Sequence, residues 1–385
     1  MKRIWLTQND DIMKRLLFIT LLILCVSLAG HAVIEIDGVF YNTYWVGQHQ
    51  EAVVVVGDTY DQDKEINYTG LVHANIRDSV TFDGKTMLPV SKIGWVAFQW
   101  ATDLEEVTIP NTVKTIEEAA FNHCLKLRSI TIPNSVVTIE EWGIAHNPSL
   151  KELHLGSGAV NVDHYAIVGN TALEVITVDE DNPVFDSRNN CNGIITVVNN
   201  SAVHDRNILF TACSRTVLPK EVTWIGRGAY QHQDITTVVL PKQITNLEYS
   251  CFEDCEYLTA IYDYSSEPQG CMSTTFDDDH YNNCTLYVPR GAKETYQQSP
   301  VWKDFRHIEE FDADIQPGDV DGDGEITVND ANSVVVIIIN GGSKGHTRIP
   351  HPDGGSWINL ADVNNDGEVN IADFNTVIDR ILVGL

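Results

Sequence analysis

The fold is decided by a stretch that begins at Leu104 and reads LEEVTIPNTVKTIEEAAFNHC over residues 104–124. A second copy begins 23 residues later and reads LRSITIPNSVVTIEE over residues 127–141. The alternation in Val107-Thr108-Ile109 predicts a short strand, which Pro110 ends. One such unit is too small to bury its own apolar face, so neighbouring units are expected to stack into a solenoid.

The 23-residue period extends well beyond these two copies and predicts three columns of core residues. The columns are Leu104, Leu127, Leu150 and Leu173; Ile93, Ile116, Ile139 and Val162; and Phe98, Phe121, Ile144 and Ile167. Cys124 and Cys255 each follow a phenylalanine by three residues, which predicts small buried side chains at both positions. The histidines at 146, 154 and 164 are scattered and do not favour a metal site.

The repeats resemble the BspA-like class of leucine-rich repeat, found in secreted and surface proteins of Bacteroidetes. The resemblance covers about residues 93–262 and implies a β-rich leucine-rich-repeat solenoid with repeats of about 23 residues. It includes a segment typical of an irregular insert, at about residues 179–215.

Both ends of a solenoid need a cap over their apolar faces. We predict a β-rich N-terminal cap over residues 33–92, opening with a hairpin from Val33 to Tyr41. Residues 263–311 are predicted to form a C-terminal cap and linker.

A different pattern occurs twice near the end of the chain. It reads DVDGDGEITVND over residues 319–330 and DVNNDGEVNIAD over residues 362–373. Each copy has oxygen-bearing side chains at alternate positions, with Gly324 or Gly367 where the loop must turn sharply, as a calcium loop requires. A single copy is also compatible with a solvated acidic turn, but two copies in register favour two Ca²⁺ ions.

The predicted ligands occupy equivalent positions of the two loops. They are Asp319, Asp321, Asp323, Glu325, Thr327 and Asp330 in the first, and Asp362, Asn364, Asp366, Glu368, Asn370 and Asp373 in the second. Glu325 and Glu368 are expected to contribute backbone carbonyls, and Thr327 and Asn370 to act through water.

Each loop is followed by apolar residues at helical spacing. These are Ala331, Val334, Val335, Ile338 and Ile339 after the first loop, and Phe374, Val377, Ile378, Ile381 and Leu382 after the second. Pro317 and Gly318 precede the first loop in place of the entering helix that an EF-hand has. The sequence therefore predicts two loop–helix units related by pseudosymmetry.

Residues 317–385 resemble a dockerin domain of type I, a small α-helical, EF-hand-like calcium domain. The resemblance implies docking onto a cohesin module, often within a polysaccharide-degrading assembly, through loop positions 10 and 11. Those positions are Val328 and Asn329 in the first loop and Ile371 and Ala372 in the second. The best-known dockerins have a Ser-Thr pair there, so this chain departs from the cellulosomal pattern.

The two predicted helices differ on one side. Val336 and Ile337 stand where the second helix has Asp379 and Arg380. We interpret the apolar pair as a partner-docking patch on an outer face. The alternative is that the insert over residues 341–359 folds back over the pair.

The formal net charge of −29 argues against nucleic acid and anionic membranes as partners. Residues 310–385 contain 14 Asp and Glu against 3 Lys and Arg, so this segment is expected to fold poorly without Ca²⁺.

The first 32 residues have the pattern of a signal peptide, and Met13 is an alternative translation start. The apolar run from Leu16 to Leu28 is too short to span a bilayer, which predicts a secreted or cell-surface protein. Seven cysteines follow this segment. Cys191 with Cys213, and Cys271 with Cys284, are open as disulfide pairs.

The sequence shows no catalytic motif, and the paired glutamates at 117–118 and 140–141 recur with the repeat period, which favours a solvated ridge. We therefore expect a monomeric, non-catalytic protein that binds another protein. Two functions stay open: an assembly component that docks through its calcium domain, and an adhesin that engages host matrix or other bacteria while its calcium domain is mainly structural.

Overall fold

The structure is a computed structural model that describes residues 33–197, 207–311, 320, 328–339, 348–350, 357–359, 361, 363 and 368–383. The predicted signal peptide lies outside these residues and stays a prediction. Among the described residues, no helix has both the length and the apolar character that crossing a membrane requires.

The described residues open with six strands that lead into the repeats, and their pairing is partly antiparallel and partly parallel. They are β1 (Ile34–Ile36), β2 (Val39–Val46), β3 (His49–Val54), β4 (His73–Asn75), β5 (Ser79–Thr81) and β6 (Met87–Ile93). Strands β1 and β2 form the predicted hairpin. Asp37 and Gly38 at its turn both have positive φ, 52° and 80°, as a two-residue hairpin turn of the Asp-Gly kind requires.

Each repeat contributes strands to two parallel sheets. The strands are β7 (Glu106–Thr108), β8 (Thr115–Ile116), β9 (Ser129–Ile132), β10 (Thr138–Ile139), β11 (Glu152–Leu155), β12 (Asn161–Val162) and β13 (Val175–Val178). One sheet has the order β13-β11-β9, and the other joins β6, β8, β10 and β12. The result is a β-solenoid of about nine turns with a spacing of about 23 residues, which confirms the predicted fold class.

The third side of the solenoid consists of turns rather than strands. Backbone hydrogen bonds join successive turns, as from Phe98 N to Ala120 O (2.8 Å) and from Phe121 N to Gly143 O (2.9 Å). The predicted columns fill the interior. The Leu104 and Phe98 columns are buried, and in the Ile93 column only Val162 is partly exposed.

Buried side chains also join the repeats. The amide of Asn147 accepts from Cys124 N (2.8 Å) and donates to Phe121 O (3.0 Å). Asn170 makes the same pair of bonds, to Asn147 N and Ile144 O. Cys124 stands one repeat before Asn147, and its thiol lies 3.2 Å from Phe98 O. The prediction that Cys124 and Cys255 are buried is confirmed.

The insert enters the solenoid as antiparallel strands, after which parallel stacking resumes. The strands are β14 (Phe185–Asp186), β15 (Gly193–Thr196), β16 (Asn207–Ala212), β17 (Val222–Ile225), β18 (Thr237–Leu240), β19 (Asn246–Leu247), β20 (Ala260–Asp263), β21 (Gly270–Cys271), β22 (Thr285–Pro289) and β23 (His307–Phe311). One sheet has the order β14-β15-β16-β17-β19-β21 and the other the order β18-β20-β22-β23. The interior divides into two apolar clusters that meet at the insert, which contributes residues to both.

The helices among the described residues up to 311 are short. They are α1 (Asp278–Asn283), α2 (Lys293–Gln298) and three 3₁₀ helices (Gln62–Lys64, Arg188–Asn190 and Trp302–Asp304). Tyr296 and Trp302 are fully buried at the end of the second cluster. The seven cysteines of the described residues are all free, including the two pairs that the sequence left open.

The described residues after 311 include two helices, α3 (Val328–Ile339) and α4 (Ile371–Val383). Between them, β24 (Arg348–Pro350) and β25 (Trp357–Asn359) pair antiparallel. Val334 and Val377 are fully buried in the core that the two helices share.

The prediction of which side chains these helices bury is wrong along one edge of each buried face. Ile339 and Leu382 are exposed, whereas Asp330, Asp373 and Ile337 are buried. The buried face begins one residue earlier than predicted because the last aspartate of each loop points inward and sets the phase of its helix.

Candidate functional site

Asp330 and Asp373, the last residues of the two predicted calcium loops, are fully buried. Asp330 Oδ1 accepts a hydrogen bond from Val320 N at 2.6 Å, and Asp373 Oδ1 accepts one from Val363 N at 2.8 Å. Each bond joins the last position of a loop to its second position, ten residues apart. The equivalent contacts give direct support to the predicted pseudosymmetry.

The second aspartate also caps its helix. Asp373 Oδ2 accepts from Asn370 N (2.8 Å), while the side-chain oxygen of Asn370 accepts from Ala372 N (2.8 Å). This reciprocal arrangement is a capping box, and it places a carboxylate at the positive end of the α4 dipole. Asp373 is therefore held in one orientation by two backbone N–H groups.

Only some of the predicted ligands lie in the described residues. Besides the two buried aspartates, Glu368 is exposed and Asn370 is half-buried. Asp319, Asp321, Asp323, Glu325, Thr327, Asp362, Asn364 and Asp366 lie outside the described residues. Within the described part of the chain, no three His, Cys, Asp or Glu residues lie together as a metal site would need.

The residues present nevertheless fit a hard cation. Each domain half places a buried carboxylate at the end of an acidic loop, where backbone N–H groups hold it in one orientation. The donor chemistry is all oxygen, which is the set that Ca²⁺ prefers over softer metals. The exposed Glu368 side chain is compatible with a ligand that acts through its backbone carbonyl.

The predicted partner-binding residues divide into exposed and buried groups. Val328 and Ile371 are 59 % and 63 % exposed at the first positions of α3 and α4, and Asn329 and Ala372 beside them are exposed as well. Val336 is 55 % exposed, but Ile337 is only 6 % exposed and belongs to the domain core. The prediction that Ile337 faces outward is therefore wrong, because the phase of α3 turns it towards α4.

On the solenoid, the paired glutamates join neighbouring turns. Glu117 accepts from Trp95 N (3.0 Å) and pairs with Lys92 (2.7 Å), and Glu140 accepts from Glu118 N (3.1 Å). These carboxylates satisfy backbone N–H groups of the preceding repeat. The arrangement is a structural ridge and gives no sign of an acid–base pair.

A row of half-buried rings follows the third side of the solenoid and was missed from the sequence. His123 stacks on His146 with ring centroids 5.1 Å apart, and His146 meets His232 edge-on at 5.0 Å. All three residues have positive φ. Burial is the main reason that the pKa of His146 is lowered to about 4, with the neighbouring imidazoles adding to the effect.

Gly169 makes this row possible. A Cβ at Gly169 would lie 2.3 Å from His146 Nδ1, so the glycine leaves the space that the ring occupies. The signal was present in the sequence, since Trp100, His123, His146 and Gly169 are each 23 residues apart.

Two protein-family models match separate parts of the chain. The model of the BspA type leucine-rich repeat region matches residues 91–199 and 190–287, which together span just over half of the chain. The chain belongs to the BspA type leucine-rich repeat family. The model of the dockerin type I domain matches residues 317–382. Families of both kinds are typically non-catalytic binding modules, and dockerin type I domains bind calcium.

A search of curated proteins found no match to this BspA type chain. Similar solved structures are bacterial leucine-rich repeat proteins. One from Bacteroides capillosus is 23 % identical, with a TM-score of 0.32, over 38 % of this chain and 98 % of its own. One from Bacteroides ovatus is 15 % identical, with a TM-score of 0.35, over 73 % and 77 %. A cell surface protein from Faecalibacterium prausnitzii is 16 % identical, with a TM-score of 0.32, over 72 % and 94 %.

Proposed function

We propose that this protein is a secreted or surface-attached binding protein that works as an assembly component. In this proposal its dockerin-type tail binds two Ca²⁺ ions and docks onto a cohesin-like module, while the solenoid presents a surface to a second protein. The coarser statement, that the chain is a protein-interaction protein, rests on the two families it combines. A polysaccharide-degrading assembly is the setting that the dockerin match suggests.

The observation that carries the calcium proposal is the equivalent burial of Asp330 and Asp373. The two loops would hold the ions through Asp319, Asp321, Asp323, Glu325, Thr327 and Asp330, and through Asp362, Asn364, Asp366, Glu368, Asn370 and Asp373. Bound Ca²⁺ would neutralise carboxylates that otherwise repel one another. The segment of net acidic charge would then fold around its ions.

The docking proposal rests on the exposed starts of the two helices. Val328 and Ile371 are large apolar side chains in solvent at equivalent positions, with Asn329 and Ala372 next to them. Contiguous exposed apolar patches mark protein-binding surfaces, and the proposal is that these side chains form one such patch. Val336 extends the exposed apolar surface of α3, and Ile337 supports it from the core.

The test is a capture experiment with residues 33–385 as bait. The prey are the envelope and medium of the source organism and, separately, host matrix proteins, each with Ca²⁺ and with chelator. The proposal expects a bacterial protein with a cohesin-like module that is captured only with Ca²⁺ and is lost with the Asp319→Ala, Asp362→Ala double variant.

Capture of a matrix protein that survives chelation, with no calcium-dependent bacterial partner, would contradict the docking proposal. That outcome would identify the protein as an adhesin whose tail is structural. The Glu368→Gln variant serves as a control, because an exposed side chain that acts through its carbonyl should leave capture unchanged.

A further inference from the structure

Asp263 occupies a position where the solenoid otherwise has an aliphatic residue. It is the last residue of β20 and pairs in register with Leu240 of β18. Leu240 points into the core, and Ile132 and Leu155 are buried at the same strand position of the first half. Asp263 is likewise fully buried, so a carboxyl group replaces an aliphatic side chain in the core.

Hydrogen bonds satisfy one oxygen of this carboxyl group. Asp263 Oδ1 accepts from Gln269 Nε2 (2.8 Å) and from Ser265 N (3.0 Å). Asp263 Oδ2 and Gln269 Oε1 are buried, and neither has a hydrogen-bond partner in the described structure. Both atoms are acceptors. The Asp263 carboxyl group and the Gln269 amide that carry them are already joined by the hydrogen bond from Nε2 to Oδ1.

The Tyr296 hydroxyl is the one other hydrogen-bond donor that acts on Asp263 in the described residues, and it lowers the pKa that burial raises. The same hydroxyl donates to Ser265 O (2.9 Å). The Cys271 thiol is the other titratable neighbour, and Glu267 acts on Tyr296 from the same loop. No Lys, Arg or His is among the groups that act on Asp263 in the described residues.

We propose that Asp263 is kept as the neutral acid and donates its proton from Oδ2 to Gln269 Oε1, so that the pair closes the C-terminal end of the solenoid in a pH-sensitive way. One proton then satisfies both unpaired oxygens, in a cyclic acid–amide pair with two parallel hydrogen bonds. An unpaired buried acceptor is destabilising because it has lost its hydrogen bonds to water, so sharing one proton removes two such penalties.

The pair is connected to the residues that cover this end of the core. The backbone oxygen of Gln269 accepts from the indole N–H of the buried Trp302 (3.0 Å). Tyr296 from α2 bonds to Ser265 in the same loop. Ionisation of Asp263 would put an unpaired charge at this junction and would loosen the contacts of Trp302 and Tyr296.

The sign of the pH dependence follows from the direction of the shift. Burial raises the pKa of Asp263 from 3.8 to about 7. The folded state therefore holds more protons than the unfolded state between these values, and the stability contributed by the pair falls as pH rises through that window. Above pH 7 both states are ionised and the dependence ends.

Hydrogen exchange of the full chain, with Ca²⁺ held constant, measures this directly. Protection factors of the segment from β20 to β22 are expected to fall between pH 5 and pH 7 by about tenfold per pH unit. Asp263→Asn keeps the geometry, because its amide donates to Gln269 Oε1 at every pH, so its protection should not fall in this way. Asp279→Asn, an exposed change of the same charge on α1, should behave like the wild type.

An infrared measurement on the unaltered protein gives a second readout that does not depend on a variant. A protonated carboxyl band is expected at pH 6, declines as pH rises through about 7, and is missing from Asp263→Asn. Protection that rises with pH, or an equal pH dependence in wild type and Asp263→Asn, would overturn the proposal. So would the absence of the carboxyl band at pH 6.

Discussion

His146 and His232 are in edge-to-face ring contact, with centroids 5.0 Å apart, although the insert separates them in the chain. Gly169 lies beside His146, and a side chain there would clash with the His146 ring. The contact therefore joins the repeats before the insert to those after it. The contact depends on glycine at position 169, where the missing side chain leaves room for the His146 ring.

Gly169→Ala is expected to destabilise the solenoid by about 2–4 kcal/mol, from a strained positive φ and from displacement of the His146 ring. Gly84→Ala is a matched control, because Gly84 has the same φ of +71° but nothing near its missing Cβ. Chemical unfolding of both variants separates strain from the clash. Equal losses would show that the His146 contact contributes nothing.

The histidine row predicts acid sensitivity. Since the pKa of His146 falls to about 4 in the fold and is near 6.5 in the unfolded chain, the unfolded state binds more protons between these values. Stability is therefore lost as pH falls from about 6.5 to 4. His146→Gln should reduce this dependence, as measured by unfolding midpoints at a series of pH values, and the exposed His307→Gln should not. A similar acid slope in His146→Gln would contradict the prediction.

Asp373→Asn is expected to weaken calcium binding to the second loop and to lower the stability of the apo tail by about 1 kcal/mol through loss of the charged cap. Calorimetric titration measures the affinity, and helix circular dichroism with chelator measures the second effect. Glu368→Gln is the control, with nearly unchanged affinity. If Asp373→Asn took up calcium as the wild type does, the assignment of the last loop position as a ligand would be wrong.

Val336→Asp should leave the tail folded and calcium-bound and weaken partner capture, because Val336 is exposed. Ile337→Arg should instead unfold the tail, because it puts a charge into the core next to α4. Circular dichroism and the capture assay together distinguish the two. Normal capture by Val336→Asp would move the docking surface to Val328 and Ile371.

The sequence predicted the interior of the solenoid well because one constraint fixes it. Each leucine at the 23-residue spacing must fill the same place in its own turn, so periodicity translates directly into burial at Leu104, Leu127 and their equivalents. Val162, near the insert, is the partial exception.

The 23-residue period could not predict the contact between His146 and His232. The insert has no fixed length, so the spacing from Gly169 to His232 does not show that the two residues lie in neighbouring turns. Only the structure gives the register that resumes after the insert.

The helices of the tail show a different limit. Apolar residues are so frequent in α3 that several helix phases look amphipathic, and the predicted one was displaced by a residue. The phase is set by Asp330, a charged residue that sequence reasoning assigned to metal binding and not to the core. Its inward orientation explains why Ile337 is buried and Ile339 is not.

The thiols of Cys124 and Cys255 belong to the two separate halves of the interior, and each lies against a backbone carbonyl of the preceding turn. Burial raises the pKa of both, that of Cys255 to about 12, so neither reacts while its turn is closed. Each half of the solenoid thus contains its own reporter of opening. The rate at which an alkylating reagent labels each cysteine would measure how often that half opens locally, without any introduced residue.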